Sequence, residues 1–173
     1  WMRRWAGGFP VYVAEARGAH VRDIDGHDYV DFCLGDTGGM CGHGPEAVTR
    51  AAVRQLENGA TMMLPTEDSL WVGAELARRL GLPYWTLTTS ATDANRGAIR
   101  IARMITGRRK VLVFSGCYHG GVEEAHVELR EGRVGLRNMI HPNGVDHSAV
   151  SKVIEFNDVD ALEQALIPGD VAC

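Results

Sequence analysis

The sequence has 173 residues, of which 45% are hydrophobic and 23% are charged, which is enough apolar surface for a core and excludes a disordered segment. Eighteen basic and twenty-two acidic residues leave a formal net charge of -4, and no basic cluster indicates a nucleic-acid surface. No apolar run approaches the roughly 18 residues of a membrane span, and no signal peptide is visible, so we expect a cytoplasmic protein without nucleic-acid or membrane partners.

The N-terminal segment, residues 1–44, has the pattern of short strands joined by turns. Strands are predicted at residues 11–14, 19–24 and 29–34. The Asp-Gly pair between the second and third apolar runs is a typical hairpin signal. We therefore expect a small antiparallel element that precedes a larger domain at residues 45–173.

Two helices are predicted next. The first spans residues 45–58, with Pro45 suited to the first turn and Gly59 to the C-terminal stop. The second spans residues 67–80, with acidic residues in its first turn and basic residues in its last. Its predicted buried stripe is Leu70, Trp71, Ala74, Ala77 and Leu80.

From residue 85 onward, short apolar strands alternate with helices. Strands are predicted at residues 85–89, 110–114 and 152–156 and from residue 170, and helices at residues 93–106 and 159–166. This alternation predicts the α/β class, with a mostly parallel sheet and crossover helices. The stretch 115–151 is rich in glycine and histidine and receives no assignment.

The loop at residues 90–96 runs directly into a helix and is the first candidate site. Ligands of an open parallel sheet bind outside the carboxyl ends of its strands, where this loop should lie. Ser90, Ala91 and Thr92 are small or hydroxylic residues at a helix start, whose unpaired amides and positive dipole end favour a phosphate. The alternative is that Ser90 or Thr92 only caps the helix, and Asp93 would repel an anion unless its side chain turns away.

The loop at residues 115–121, SGCYHGG, is the second candidate site. Its glycines allow close backbone approach, while Tyr118 and His119 present a flat ring and an imidazole at a strand end. An aromatic ring beside a phosphate site suits a flat, phosphorylated ligand. The alternative is that Tyr118 packs against the sheet edge and His119 is a structural histidine.

Metal and nucleophile chemistries have weaker support. No pair of potential ligands has the HxxxH or CxxC spacing of a zinc site, so no metal is predicted. No GxSxG elbow is present, and a Cys117/His119 nucleophile pair depends on adjacency alone. The potential metal ligands are Cys117, His119, His126, His141 and His147.

The stretch SATDANRGAIRIARMITGRRKVLVFSGCYHG, residues 90–120, resembles the class III aminotransferases, which are pyridoxal-phosphate enzymes of fold type I. The similarity is strongest to their glutamate-1-semialdehyde aminomutase branch. Further matches are VRDIDGHDYVDF, GHGPEAV and PTE upstream. The resemblance implies that residues 45–173 form the first part of the large, cofactor-binding domain of that fold.

The resemblance also implies roles for the two loops. Ser90, Ala91 and Thr92 match the residues that hold the phosphate of pyridoxal 5'-phosphate, and Tyr118, with His119 beside it, matches the residue stacked on the pyridine ring. The expected reaction transfers an amino group between a small amino donor and a carbonyl acceptor. The resemblance further implies a homodimer.

The lysine content bears on the mechanism. A transaminase needs a lysine that forms a Schiff base with the cofactor, and the chain contains only Lys110 and Lys152, both at predicted strand starts, opposite the ligand edge. No catalytic residue is therefore assigned, and the resemblance implies that the Schiff-base lysine lies beyond Cys173. We expect the chain to be an inactive N-terminal part of the enzyme, the alternative being a non-catalytic binding or interaction module of the same fold.

Overall fold

The computed structural model describes residues 10–138 and 140–173. Contacts between residues divide the chain into two compact units, residues 1–72 and residues 73–173. The predicted division after residue 44 concerns the domains of the fold and stays a prediction, and the first nine residues of that segment lie outside the described ranges. No helix in these ranges is long and apolar enough to cross a membrane.

The first unit opens with the predicted antiparallel element. It consists of β1 (Val13–Arg17), β2 (His20–Asp23) and β3 (Asp28–Val30), paired in the order β1-β2-β3. The second and third strands are shorter than predicted, and β1 lies two residues later, because its register is set by antiparallel pairing with β2. The Asp-Gly turn connects β2 to β3 as expected.

A buried carboxylate closes this turn. Asp23 is 5% exposed and accepts hydrogen bonds from the Tyr29 hydroxyl at 2.7 Å, the His27 backbone N–H at 2.8 Å and His27 Nδ1 at 3.0 Å. Burial raises the pKa of Asp23, but the hydrogen bonds from Tyr29 and His27 outweigh it and lower this pKa to about 2. The same contact raises the pKa of His27.

These shifts predict an acid-labile turn. The pKa of Asp23 is lowered from 3.8 in the unfolded chain to about 2 in the folded turn. The ionised carboxylate therefore stabilises the turn fully above pH 3.8, and this stabilisation is lost as the pH falls towards about 2. We expect amide exchange at residues 20–30, corrected for its intrinsic pH dependence, to accelerate over this window in the parent and in an Asp25→Asn control. Asp23→Asn should exchange faster at neutral pH and show no acid step. An acid step that persists in Asp23→Asn would contradict the assignment.

Helices α1 (Glu46–Glu57) and α2 (Glu67–Leu80) lie where the sequence predicts them. The predicted buried stripe of α2 is wrong, since Leu70 is 76% exposed, Trp71 69% and Leu80 60%. Ala74 is also exposed and Ala77 only half-buried. Helical periodicity identifies an apolar face but not the element that covers it, and within the described ranges no residue of α2 is buried.

The second unit is built on parallel strands. Strand β4 (Val111–Phe114) pairs in parallel with β7 (Ser151–Ile154), from Val111 opposite Ser151 to Phe114 opposite Ile154. On the other side of β4, Val171 forms a parallel bridge to Lys110. The α/β architecture with a parallel sheet is thereby confirmed. Its buried core is Val111, Val113, Val122, Ala125, Val127 and Val153.

The remaining elements of this unit are α3 (Ala91–Thr106), β5 (Val127–Arg130), β6 (Arg133–Leu136) and α4 (Val159–Leu166). Helix α3 begins two residues before its predicted start and is capped at its C-terminus by Gly107, and α4 matches its predicted bounds. The strand predicted at residues 85–89 is wrong: this stretch pairs with no strand among the described residues, and a strand is defined by its hydrogen-bonded neighbour. The unassigned stretch contains the antiparallel β5–β6 hairpin.

Candidate functional site

The two predicted loops meet at the carboxyl end of the parallel strands. The second loop leaves β4 after Phe114, and the Ser115 N–H is bonded to the Ile154 carbonyl at the end of β7, at 2.7 Å. The ring of Phe114 packs edge-on against Phe156, with centroids 5.6 Å apart. The start of α3 is hydrogen-bonded to residues 119–121 of this loop. The two loops are thus in contact with each other where β4 ends, and their role as a ligand site stays a prediction.

Ser90 caps α3. Its hydroxyl accepts the Asp93 N–H at 3.1 Å and donates to Asp93 Oδ2 at 2.7 Å. The Asp93 carboxylate is thereby held by the Ser90 side chain. Since the first intrahelical bond is donated by Ala94, the N–H groups of Ala91 and Thr92 have no acceptor within the helix. The capping role of Ser90 is confirmed, and the positive end of a 16-residue helix remains at Ala91 and Thr92.

Thr92 and Gly120 are in close contact. Thr92 Oγ1 accepts the Gly121 N–H at 2.9 Å, which leaves the hydroxyl hydrogen to donate elsewhere. Gly120 has φ +78°, and a Cβ built there would lie 2.4 Å from Thr92 Oγ1 and 3.2 Å from Thr92 Cα. The backbone of the loop therefore lies so close to the start of α3 that a residue with a Cβ atom would not fit at position 120.

Two side chains of α3 also bind the second loop, and sequence reasoning did not predict them. Asn95 Nδ2 donates to the His119 carbonyl at 3.0 Å, and an Arg96 guanidinium nitrogen donates to the Gly121 carbonyl at 3.1 Å. A sequence signal was present, since asparagine is a poor helix former and stands inside a long helix next to an arginine. These bonds join the loop to the first two turns of α3.

The side chains of Tyr118 and His119 lie at the surface of the loop. Tyr118 is 71% exposed, so the alternative of a ring packed into the sheet edge is not supported, and His119 is exposed as well. The loop is also held from its other side. An Arg137 guanidinium nitrogen donates to the Cys117 carbonyl at 2.7 Å, and Ser115 Oγ accepts the Leu129 N–H at 3.1 Å.

Both lysines of the chain lie at the opposite, amino-terminal edge of the sheet. Asp170 binds the two of them, with Oδ1 2.6 Å from Lys152 Nζ and Oδ2 3.1 Å from Lys110 Nζ. Lys152 Nζ also donates to the Ala165 carbonyl at 2.6 Å. The hydrogen bonds from Lys152 and then Lys110 lower the pKa of Asp170. Neither ammonium group is placed to reach a ligand beside Tyr118.

Among the residues that the structure describes, the histidines and cysteines considered as metal ligands do not form a group of three. Within the described ranges, the one group of three or more possible ligands whose atoms all lie within 4.8 Å of one another is Asp23, Asp25 and His27. The oxygens of Asp23 already accept the hydrogen bonds that close the turn. The four cysteines are unbridged thiols, as their scattered positions predict.

The assembled site therefore combines two complementary features. The unpaired amides and hydroxyl at Ala91 and Thr92 can hold an anion, because both the dipole and the donors point to it. The exposed ring of Tyr118, two residues before the glycine that touches Thr92, can pack against a flat ligand. This arrangement fits a phosphate ester that carries an aromatic ring.

Comparison with known proteins places the chain in a family. A family model described as Aminotransferase class-III matches residues 1–156. The chain is 33% identical over 172 residues to the glutamate-1-semialdehyde 2,1-aminomutase of Methanocaldococcus jannaschii, covering 95% of this chain and 40% of that protein. It is 31% identical over 170 residues to the enzyme of the same description from Methanosphaera stadtmanae, with the same coverage.

Solved structures agree with this placement. A glutamate-1-semialdehyde aminomutase from Pseudomonas aeruginosa PAO1 superposes with a TM-score of 0.95 at 59% identity, over 100% of this chain and 38% of that one. The same enzyme has also been crystallised as a variant in complex with PMP. An omega-transaminase from Sphaerobacter thermophilus gives a TM-score of 0.82 at 29% identity, over 98% and 41% of the two chains. The chain thus spans about 40% of the length of these relatives.

Proposed function

The chain belongs to the class-III aminotransferase family, and we propose that the complete protein is a pyridoxal-phosphate-dependent aminotransferase or aminomutase. The reaction moves an amino group between an amino acid or amine and a carbonyl compound. The observation that carries the proposal is the joining of the α3 N-terminus to the Tyr118 loop through the Gly121–Thr92 hydrogen bond. The alternative of a non-catalytic module of the same fold is not favoured, because the named relatives are enzymes.

The described residues fit the cofactor. The N–H groups of Ala91 and Thr92 and the Thr92 hydroxyl would bind its phosphate, while the Tyr118 ring would pack on its pyridine ring. Gly120 leaves the space that a side chain would fill beside Thr92. When bound, pyridoxal phosphate supplies an electron sink and carries the amino group.

The residues of this chain would bind and orient the cofactor, but they do not include the lysine that bonds to it covalently. Lys110 and Lys152 are both bound to Asp170 at the amino-terminal edge of the sheet. Tyr118 would cover one face of the pyridine ring and thereby exclude water from it. Neither Lys110 nor Lys152 is therefore the lysine that the reaction needs for covalent bonding to the cofactor and for proton transfer.

The proposal extends to the substrate, the oligomeric state and the cellular location of the complete protein. The similarity to glutamate-1-semialdehyde aminomutases supports a small amino acid aldehyde as substrate over a bulky amine. We place the complete protein in the cytoplasm as a homodimer. Its dimeric state is testable by light scattering of the purified holoenzyme.

The activity test separates the two reaction types. The purified complete protein, loaded with pyridoxal phosphate, should convert glutamate-1-semialdehyde to its amino-shifted isomer without an added carbonyl acceptor if it is an aminomutase. Conversion that requires a second carbonyl compound indicates an aminotransferase. Absence of a bound-cofactor absorption band in the complete protein would overturn the proposal.

Replacement of Tyr118 tests the ring-binding part of the site. Tyr118→Ala in the complete protein should weaken cofactor binding roughly tenfold, because the stacked aromatic surface is lost. Titration of the apoprotein with pyridoxal phosphate, followed by absorbance, measures the Kd. Tyr84→Ala is the matched control, since Tyr84 is 90% exposed, and should leave the Kd unchanged. Equal Kd values for both variants would refute the role of Tyr118.

A further inference from the structure

The three residues Cys117, Tyr118 and His119 lie between two glycines with positive φ. Gly116 has φ +79° and Gly120 has φ +78°. Glycines at such positions impose the turn but do not restrict neighbouring residues, since they rotate readily. The path of the backbone through Tyr118, which is 71% exposed, therefore depends also on residues that bind this segment from outside it.

Two side chains bind the backbone of this segment from opposite sides. Arg137, which follows β6, donates to the Cys117 carbonyl at 2.7 Å. Asn95, in the second turn of α3, donates to the His119 carbonyl at 3.0 Å. The first bond fixes the peptide plane that precedes Tyr118, and the second fixes the plane that follows His119. We call Asn95 and Arg137 the carbonyl clamp.

We propose that the carbonyl clamp of Asn95 and Arg137 positions the Tyr118 ring against the cofactor. This inference rests on the proposed function and names two positioning residues for its site. Each side chain acts through the backbone on one side of Tyr118, by a hydrogen bond to a loop carbonyl. If the clamp positions Tyr118, its removal should change the orientation of the bound cofactor. If the clamp only stabilises the fold, its removal should leave that orientation unchanged.

The two clamp bonds differ in strength. A guanidinium donor bound to a carbonyl is charge-assisted, whereas an amide donor is neutral, so the Arg137 bond should contribute more. The Arg137 side chain is half-buried, which limits competition from water. We therefore expect cofactor affinity to fall about fivefold in Asn95→Ala and roughly tenfold or more in Arg137→Ala.

The test uses the complete protein reconstituted with pyridoxal phosphate. For each variant, the Kd is measured by absorbance titration, and the visible circular dichroism is measured per bound cofactor at saturation. Both clamp variants should show reduced ellipticity per bound cofactor. Asn95→Gln and Arg137→Lys, which keep a donor, should recover much of the signal. Far-UV circular dichroism identifies any variant that fails to fold, in which case the conservative variant alone decides.

The controls separate positioning from general effects. Arg100→Ala removes an exposed side chain from the same helix, and Arg133→Ala removes one from the same hairpin, so both should leave Kd and ellipticity unchanged. In a Tyr118→Ala background, Asn95→Ala should weaken binding less than about twofold further, because the ring it positions is absent.

The outcomes are distinguishable from failure of the proposed function. If the parent protein does not bind pyridoxal phosphate, the proposed function and the clamp both fall. If the parent binds the cofactor but the clamp variants keep full ellipticity, only the clamp is overturned. The same holds if Asn95→Ala weakens binding by equal factors with and without Tyr118.

Discussion

Alanine at position 120 should destabilise the complete protein far more than alanine at position 116. Both glycines have nearly the same positive φ, +78° and +79°, so the backbone strain of alanine, about 1–2 kcal/mol, is common to both variants. Only Gly120→Ala adds a clash, with its Cβ 2.4 Å from Thr92 Oγ1. At Gly116, nothing lies within 4 Å of the added Cβ.

Thr92 cannot relieve this clash without a further loss. Rotation of its side chain would move Oγ1 away from the Gly121 N–H, which it binds at 2.9 Å, and the Thr92 Cα lies only 3.2 Å from the added Cβ. Overpacking of this kind adds about 1–3 kcal/mol to the cost of Gly120→Ala. Denaturant unfolding of both variants measures the difference, and cofactor titration should show a loss only for Gly120→Ala. Equal losses at both positions would show that the close approach is unimportant.

The helices of this chain could be predicted from sequence because their signals are local. Helix α2 begins at Glu67 with an acidic first turn, and α4 ends at Leu166 as its apolar spacing indicates. The parallel strands β4 and β7 are apolar runs that contain valine, which fit a buried sheet. These features depend on few residues outside the element itself.

The errors concern features that depend on distant partners. Residues 85–89 have the composition of a strand but no hydrogen-bonded neighbour in the described ranges, and no described residue covers the apolar face of α2.

The β5–β6 hairpin is not predicted, for a local reason: its two turn residues, Glu131 and Gly132, both have positive φ. Such a turn is usually signalled by asparagine or aspartate before glycine, whereas glutamate adopts this conformation only rarely.

The same distinction applies to the site. Ser90, as the cap of a helix, follows from residue type and position alone, and its hydrogen bonds to Asp93 are local. The bond between Asn95 and the His119 carbonyl spans 24 residues, and that between Arg137 and the Cys117 carbonyl spans 20. No local pattern encodes a side chain that reaches a backbone carbonyl so far along the chain. Sequence therefore indicates the two loops of the candidate site but not the bonds that hold them together.

Two replacements of Thr92 should separate its hydroxyl from its shape. Thr92→Val keeps the size of the side chain but removes the acceptor for the Gly121 N–H and the donor to the phosphate. Hydrogen bonds to charged groups are worth about 1.5–3 kcal/mol, so we expect cofactor affinity to fall roughly tenfold to a hundredfold. Thr92→Ser retains the hydroxyl and should lose less than Thr92→Val.

The phosphate dependence of the effect identifies its cause. Thr92→Val should weaken binding of pyridoxal phosphate strongly but binding of pyridoxal, which lacks the phosphate, only slightly, whereas Tyr118→Ala should weaken both. Because the hydroxyl of Thr92 also binds Gly121, a part of the loss should appear as faster amide exchange at residues 119–122 without cofactor. If Thr92→Val weakened pyridoxal and pyridoxal phosphate by equal factors, the helix start would hold the loop in place without binding the phosphate.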